Sequence, residues 1–292
     1  MLTDLAPDPR EEWARALAFV GWTEADRRIA TPSVEVLLGR SRELVIATYD
    51  HLARVPETAA ILGWSDGVTP EHLAERRAFL SVWLARTLGL DTSDEFALYL
   101  FRAGRMHAGL GPRRVQVPPG YLIGTIGLVL ASFSRYLAED GLPAASIGAA
   151  LGVWSRYLSV QLQLMLSGYH AAMALHAGPL EVRCTAYGRL RSLVGGRAFT
   201  LGLSPESRVS DALRTVFSAY PAVRAEVLDR VWDERNALSG EVPSGEAPGV
   251  SPLYVPRPGW RLLLNGRDVR YGGGLTLPVA SGDELAIFPP GR

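Results

Sequence analysis

The chain has 292 residues, 48% of them hydrophobic, and its 30 basic residues balance its 30 acidic residues. A length of this order predicts two domains with ample apolar material for their cores. The charge balance indicates neither a nucleic acid nor an anionic membrane as the main partner. Because every basic residue is arginine, a Schiff-base lysine and a P-loop lysine are excluded.

The N-terminus and the cysteine content predict where the protein works. The opening sequence MLTDLAPDPREEW is acidic and lacks the basic and then apolar pattern of a signal peptide. Cys184 is the only cysteine, so no intrachain disulfide can form, which fits a reducing compartment. The longest apolar run, Tyr121 to Phe133, is shorter than the ~20 residues that a membrane span needs. We therefore predict a soluble, cytoplasmic protein.

From Trp13 to about Leu175, the spacing of apolar residues is helical and strand-like alternation is nearly absent. Capping residues and prolines set the expected helix ends. The predicted helices are Val34 to Ala53, Glu71 to Leu88, a third capped at Asp91, Thr92 or Ser93 and ending near Ala108, a fourth from Pro118 and Pro119 to about Ala138, and a fifth from Pro143 to about Leu175. This half is predicted to be all-α.

After Leu180 the pattern changes to short alternating runs separated by turn residues. The predicted elements are strands at Leu180 to Ala186 and Ala198 to Leu203, a helix capped by Ser210, hairpin arms Trp260 to Asn265 and Asp268 to Tyr271 around Asn265-Gly266, a last strand Leu285 to Phe288, and a Pro/Gly-rich surface loop at 236–259. This order predicts an α+β domain. We place the first domain at residues 1–177 and the second at residues 178–292.

A histidine on an apolar helix face is the main functional signal. Phe96, Leu100, Ala103 and His107 are spaced by four, three and four residues and share one face of the third helix. The ring nitrogens of such a histidine need partners. Two interpretations stay open: a core histidine bonded to a backbone carbonyl, or an axial ligand to a flat apolar cofactor such as haem.

Tyr49 poses the same choice on a different helix. It also lies on an apolar face. It is either a buried tyrosine whose hydroxyl reaches a carbonyl, or a hydrogen-bond donor to a ligand on the far side of an iron.

Residues 19–169 resemble the protoglobins, the haem proteins related to the sensor domains of globin-coupled sensors. The resemblance is carried, in order, by GWTEADRRIA, TYDHL, RAGRMHAG, VQVPPGYLIGTI and VWSRYLSVQLQLMLSGY. It implies that His107 is the proximal ligand of a haem b and Tyr49 the distal tyrosine, with Phe79 or Leu80 as the bulky residue over the distal face. The family often has Trp before the distal tyrosine, and this chain has Thr48.

Helical spacing and charge add further candidate contacts to such a cofactor. Leu100 and Ala103, on the face of His107, are expected to contact the haem. Arg42, Arg113 and Arg114 are candidates to pair with the haem propionates. Iron held by a single imidazole keeps a sixth position for O2, CO or NO.

Residues 180–292 resemble the ubiquitin-like β-grasp sulfur carriers of the molybdopterin and thiamine pathways. The matching segments are RLRSLVGGRAFTL, SRVSDALRTVFSAYP, LLLNGRDVRYGGG and SGDELAIFPP. Those carriers end in Gly-Gly, whereas this chain ends Pro289-Pro290-Gly291-Arg292. The tail therefore favours a β-grasp module used for binding, and carrier chemistry on a processed Gly291 is the alternative.

We expect a non-enzymatic haem protein that senses a gas or a redox state and signals to an unknown protein partner through its β-grasp domain. The alternative is a sulfur-carrier or pathway-accessory protein with a haem-free helical scaffold. A homodimer is also considered, through a face of the last helix. That face consists of Leu158, Leu162, Met165 and Tyr169, although a core stripe has the same spacing.

Overall fold

The computed structural model describes residues 2, 5–231 and 253–290, which form two compact units. The helical unit is Pro9–His170, and the sheet unit combines Met1–Asp8 with Ala171–Arg292. The division predicted from the sequence was residues 1–177 and 178–292. The two divisions differ by seven residues at the junction and by the assignment of the N-terminal segment.

Backbone pairing and a buried arginine attach the N-terminal segment to the sheet unit. Leu2 is 1% exposed, and its N–H and carbonyl each bond to Tyr254 at 3.0 Å. The Arg224 guanidinium lies 3.6 Å from the Asp8 carboxylate and donates to the Ala6 carbonyl. These partners are distant in the sequence, so no local pattern indicates them.

Eight α-helices make up the described part of the helical unit, the last of them continuing to Ala174. They are α1 (Pro9–Phe19), α2 (Glu24–Gly39), α3 (Ser41–Arg54), α4 (Pro56–Ile61), α5 (Pro70–Leu88), α6 (Asp94–His107), α7 (Pro119–Glu139) and α8 (Ala144–Ala174). Local signals set the ends of several helices. For example, the Ser93 hydroxyl caps α6 by accepting from the Phe96 N–H at 3.2 Å.

The single helix predicted from Val34 to Ala53 is wrong. The chain leaves α2 after Gly39, and α3 begins at Ser41. Arg40 separates the two helices with φ −98° and ψ 4°. Glycine weakens a helix interior, which is why a break at this position costs little.

The sequence leaves two alternatives open for a stripe of the last helix, a dimer face and a core stripe, and burial favours the core stripe. Leu158 and Tyr169 are 0% and 5% exposed inside the helical unit. Leu162 and Met165 line a cavity of the same unit. The stripe on α8 therefore faces the core of its own unit.

By length and composition alone, α7 is the one helix in the described part of the chain that could cross a membrane. One side of it is buried within the helical unit, at Leu122, Val129, Phe133, Tyr136 and Leu137. A core helix of a globular unit has the same length and apolar character.

The sheet unit contains a five-stranded mixed sheet and a separate two-stranded ribbon. Its elements are β1 (Leu180–Ala186), α9 (Leu190–Val194), β2 (Ala198–Leu203), α10 (Val209–Ala219), α11 (Pro221–Val227), β3 (Leu228–Val231), β4 (Leu253–Pro256), β5 (Arg261–Leu264), β6 (Arg267–Asp268) and β7 (Glu284–Phe288). The main sheet has the order β2-β1-β7-β5-β6, with β1 parallel to β7, and β3 pairs with β4. The central parallel pair of first and last strands, packed with α10, is a β-grasp arrangement.

Several details of this half differ from the prediction. The helix begins at Val209 after Arg208, so Ser210 lies in its first turn and is not the cap. The second hairpin arm is short, because Val269–Tyr271 forms a 3₁₀ turn. The predicted loop at 236–259 contains β4, and its part at 236–252 lies outside the described residues, as does Gly291.

The chain end up to Pro290 packs onto the sheet unit. The Phe288 ring stacks on Tyr187 with centroids 3.9 Å apart. A Cβ on Gly259, where φ is +83°, would lie 2.9 Å from Pro290, so only glycine fits against the tail there. The segment that would need to be free in a sulfur carrier is held against the domain as far as Pro290.

Candidate functional site

His107 is the last residue of α6, and its Nδ1 lies 2.7 Å from the Ala103 carbonyl oxygen. A carbonyl can only accept, so Nδ1 carries the proton and Nε2 keeps its lone pair. Among the described residues, no hydrogen bond to Nε2 is found. A metal-binding imidazole has this tautomer, held by the hydrogen bond at its other nitrogen.

The loop after α6 holds the backbone of His107 in place. The Val117 N–H donates to the His107 carbonyl at 2.7 Å, and Ala108 pairs with Gln116 in an isolated bridge. Gly109 makes the turn with φ +95°, a region that favours glycine. The histidine is therefore fixed from both sides, by its helix and by the returning loop.

Two glycines bring α6 and α8 into backbone contact just before His107. A Cβ on Gly104 would overlap the Met165 backbone, and a Cβ on Gly168 would overlap the Phe101 backbone. The close crossing sets the position of the last turn of α6 relative to α8. The placement of His107 thus depends on residues that carry no side chain.

A cavity of about 240 Å³ lies beside His107. Its walls come from α3, α4, α5, α6, α7, α8 and the loop after α6. Most of the lining is apolar and includes Leu52, Ile61, Leu80, Ala103, Met106, Ile126, Leu162 and Met165. A cavity of this character suits a largely apolar ligand that needs a few polar contacts.

Burial lowers the pKa of His107 from its usual value. The Ala103 carbonyl opposes this effect by favouring the protonated ring, and the positive charge of Arg76 adds to the lowering. The net effect is a neutral imidazole at neutral pH, which is the form that binds a metal.

Tyr49 lines the same cavity from α3. Its hydroxyl donates a hydrogen bond to the Arg76 carbonyl oxygen on α5 at 2.8 Å. Burial raises the pKa of this hydroxyl to about 12; Arg76 lowers it in part and Tyr99 raises it. The phenol is therefore protonated, and its proton is committed to the backbone of the neighbouring helix.

Arginines dominate the charges around the cavity. Among the described residues, Arg76, Arg102, Arg113 and Arg114 line it, with Glu75 as the one acidic residue. The Glu75 carboxylate pairs with Arg113 at 2.5 Å and joins α5 to the loop after α6. Four positive charges and one negative charge leave a net charge of +3, which favours a ligand with acidic groups.

The protoglobin family model matches residues 10–174, which is more than half of the chain. The chain belongs to the protoglobin family. The match spans every helix from α1 to α8 apart from the first residue of α1, and it includes all the residues of the cavity.

Two solved structures are among those similar to parts of this protoglobin-family chain. Small archaeal modifier protein 1 from H. volcanii is 23% identical, with a TM-score of 0.27 over 38% of this chain and 99% of its own. The Haloferax volcanii HVO 2177 protein is 20% identical, with a TM-score of 0.27 over 39% of this chain and 85% of its own. No curated protein matches the chain. The fold of the sheet unit is assigned from its own strand order.

The cavity of this protoglobin brings together most residues predicted from the sequence. Those that line it are His107, Tyr49, Phe79, Leu80, Ala103, Arg113 and Arg114. Phe79 and Leu80 both line it, and which of them lies over the distal face of a haem stays a prediction.

Two residues predicted to contact the haem do not line the cavity. Leu100 is 0% exposed and does not line the cavity, because it faces the helical core. Arg42 is exposed and borders a separate depression together with Arg77 on α5. Helical spacing, from which Leu100 was predicted, identifies a face but not the element that covers it.

Sequence reasoning missed Arg76, Trp83, Tyr99, Arg102 and Met106, which all line the cavity. The sequence spacing of these residues contained the signal that could have identified them. Tyr99, Arg102 and Met106 stand eight, five and one residues before His107, and Arg76 and Trp83 lie one turn to either side of Phe79 and Leu80. The predicted face of α6 was centred on its core side and overlaps the cavity face only at Ala103 and His107.

The residues of this protoglobin cavity fit a haem. Apolar side chains from opposite walls suit the flat macrocycle, and His107 offers an unprotonated Nε2 beside the cavity. Arg102 and Arg114 line it without an ion pair to any described residue, so both can pair with the acidic propionates. Cys184, buried in the sheet unit with its pKa raised to about 12 by burial, is no candidate ligand.

Proposed function

We propose that the helical unit binds a haem b through His107 and that the protein is a sensor of a diatomic gas or redox state rather than an enzyme. The single observation that carries this proposal is the geometry at His107. Its Nδ1–H is fixed on the Ala103 carbonyl, so its Nε2 is free beside an apolar cavity lined by arginines. Haem iron held by one imidazole supplies a coordination position for O2, CO or NO.

The surrounding residues orient and protect this site. The Ala103 carbonyl fixes the tautomer of His107, and the Val117 N–H fixes its backbone. Apolar side chains from α5, α7 and α8 exclude water, which slows oxidation of a bound ferrous iron. Both effects favour reversible ligand binding.

The β-grasp unit is proposed to contact a protein partner and not to act as a sulfur carrier. A carrier needs a slim, free tail that threads into an activating enzyme. Here the chain is packed on its own domain as far as Pro290, against Gly188 and Gly259. Two consecutive prolines also stiffen this tail. We place the protein in the cytoplasm, consistent with its one buried thiol.

Absorption spectra of the purified protein test the haem proposal. Wild type, His107→Ala and His51→Ala are supplied with haem and recorded in the ferric, ferrous and ferrous-CO states. His51 is exposed on α3 and serves as the matched control. We expect a Soret band that shifts with CO in wild type and His51→Ala, and that is lost or altered in His107→Ala. A wild type that takes up no stoichiometric haem contradicts the proposal.

A second experiment tests the role of the β-grasp unit. The C-terminus of the purified chain is measured by mass spectrometry, and partners are captured with and without CO on the haem-loaded protein. A thiocarboxylate on a processed Gly291 would support the carrier alternative. An intact Arg292 together with gas-dependent capture of a partner through residues 179–292 supports the sensor.

A further inference from the structure

The polar groups on the α3, α4 and α5 side of the cavity are almost all committed to partners within the protein. Each bonds as follows: the Thr48 hydroxyl to the Leu44 carbonyl, the Tyr49 hydroxyl to the Arg76 carbonyl, the Thr58 hydroxyl to the Leu52 carbonyl, the Trp83 indole N–H to Gln161, and the Glu75 carboxylate to Arg113. None of these groups has a donor left for a ligand in the cavity.

Arg76 is different. Its Nε lies 3.2 Å from Nε2 of His72, and within the described residues its Nη1 and Nη2 make no hydrogen bond. Nδ1 of His72 accepts from the Trp64 indole at 3.0 Å. A neutral imidazole accepts at one nitrogen only, so when His72 accepts from Trp64 it cannot hold Arg76 as well. Arg76 therefore offers the donors of a guanidinium fork to the cavity it lines.

The charge of Arg76 acts across the wall that α3 and α5 share. It lowers the pKa of the Tyr49 hydroxyl on α3. A cation in this position attracts an anion bound in the cavity that both residues line. His72, whose own pKa is lowered by burial, by Arg113 and by Arg76, adds no competing charge at neutral pH.

We propose that Arg76 is a specificity-determining residue that holds a small anion in the cavity, opposite His107. This inference rests on the proposed haem function. The chemical class is a compact anion such as azide or nitrite, whose terminal atoms accept hydrogen bonds from a guanidinium. A haem propionate has the same acceptor chemistry, but Arg102 and Arg114 are available for the propionates.

Anion titrations of the haem-loaded ferric protein test the proposal. Azide is the anionic probe and imidazole the neutral one, and both are followed by the Soret band. The variants are Arg76→Met, Arg76→Lys and Arg77→Met. Arg77→Met removes the same charge one residue further along α5, where Arg77 pairs with Asp50 at 3.1 Å and does not line the cavity.

We expect Arg76→Met to weaken azide binding about tenfold, the effect of losing one charge-assisted hydrogen bond, and to leave imidazole binding within about twofold. Arg76→Lys should recover part of the azide affinity, and Arg77→Met should match wild type. If Arg76→Met folds poorly, the proposal is still tested by Arg76→Lys, because this variant keeps the positive charge.

The haem dissociation rate distinguishes two roles of Arg76: binding a free small anion, or binding a haem propionate. Faster haem loss to an acceptor globin in Arg76→Met, with unchanged azide affinity, would assign Arg76 to a propionate and overturn the inference. Equal loss of azide affinity in Arg77→Met would overturn it too, since the effect would then come from net charge. The absence of a Soret band in wild type would contradict the proposed function itself. Normal haem uptake with unchanged azide affinity in Arg76→Met would contradict this inference alone.

Discussion

The hydroxyl of Tyr49 donates to the backbone carbonyl of Arg76, 2.8 Å away, and so links α3 to α5 across one wall of the cavity. A hydroxyl that is bonded in this way has no second proton for a ligand. The role of Tyr49 as a donor to bound gas stays a prediction, and it requires the hydroxyl to leave the Arg76 carbonyl.

Tyr49→Phe tests whether this bond persists in the haem-loaded protein. We expect the dissociation rate of O2 to change by less than about threefold, and the free energy of unfolding to fall by about 1 kcal/mol from the lost hydrogen bond. Stopped-flow absorption and urea unfolding measure the two quantities. An O2 dissociation rate raised tenfold or more would show that the hydroxyl turns to the ligand when the ligand is present.

The helices around the site could be predicted because their ends carry local signals. Ser93 caps α6, and Pro119 starts α7 in the first turn, so both helices began within a few residues of the expected positions. The Tyr49 bond could not be predicted. Its acceptor is a main-chain carbonyl on another helix, and every residue has one, so only the packing of α3 on α5 decides which carbonyl is reached.

The same limit explains why the structure differs from the sequence-based expectation at Leu100 and at the N-terminal segment. Helical spacing placed Leu100 on the face of His107, but α6 is covered on one side by the core and on the other by the cavity. The pairing of Leu2 with Tyr254 depends on a strand near the other end of the chain. Patterns of a few residues do not encode such long-range partners.

Gly104→Ala should disturb the position of His107 without touching its ring. The added methyl group would overlap the Met165 backbone, so α6 and α8 must move apart. We expect a loss of about 1–3 kcal/mol in the free energy of unfolding and weaker haem retention. Gly124→Ala is the control, because its Cβ would meet nothing within 4 Å on α7. Urea unfolding and the rate of haem loss measure the effects, and equal behaviour of the two variants would contradict the close crossing.

Asp26 should make stability depend on acid pH. Burial raises the pKa of its carboxyl, but hydrogen bonds from Arg156 and Thr23 outweigh this effect, and the net pKa is lowered. A carboxylate with a lowered folded pKa stabilises the protein above its unfolded pKa of about 3.9, and this contribution is lost as the pH falls through the folded value.

Asp26→Asn should therefore lower the free energy of unfolding by about 1–2 kcal/mol near pH 6, a value reduced by solvent because Arg156 is partly exposed. The difference from wild type should shrink below about pH 4. Asp66→Asn is the control, since the Asp66 side chain is exposed and has no bond among the described residues. Urea unfolding from pH 3 to pH 7 measures both variants. A difference that stays constant down to pH 3 would mean that the Asp26 charge is not the stabilising feature.

Gly259→Ala should loosen the chain end that packs on the β-grasp unit. Both Gly259 and Gly274 have positive φ values, +83° and +68°, so alanine is strained at either position. Only at Gly259 does the new methyl group meet Pro290, whereas at Gly274 it meets nothing within 4 Å. Comparing Gly259→Ala with Gly274→Ala therefore isolates the contact with the tail from the backbone strain that both share.

We expect Gly259→Ala to be about 1 kcal/mol less stable than Gly274→Ala, and to exchange its amide hydrogens in β7 faster. Urea unfolding and hydrogen exchange followed by mass spectrometry measure the two effects. If both variants exchange β7 at the same rate, the tail is not held by this contact, and the structural argument against a threading tail loses its basis. Faster exchange confined to Gly259→Ala means that the packed tail belongs to the folded domain, as a binding module requires and a sulfur carrier does not.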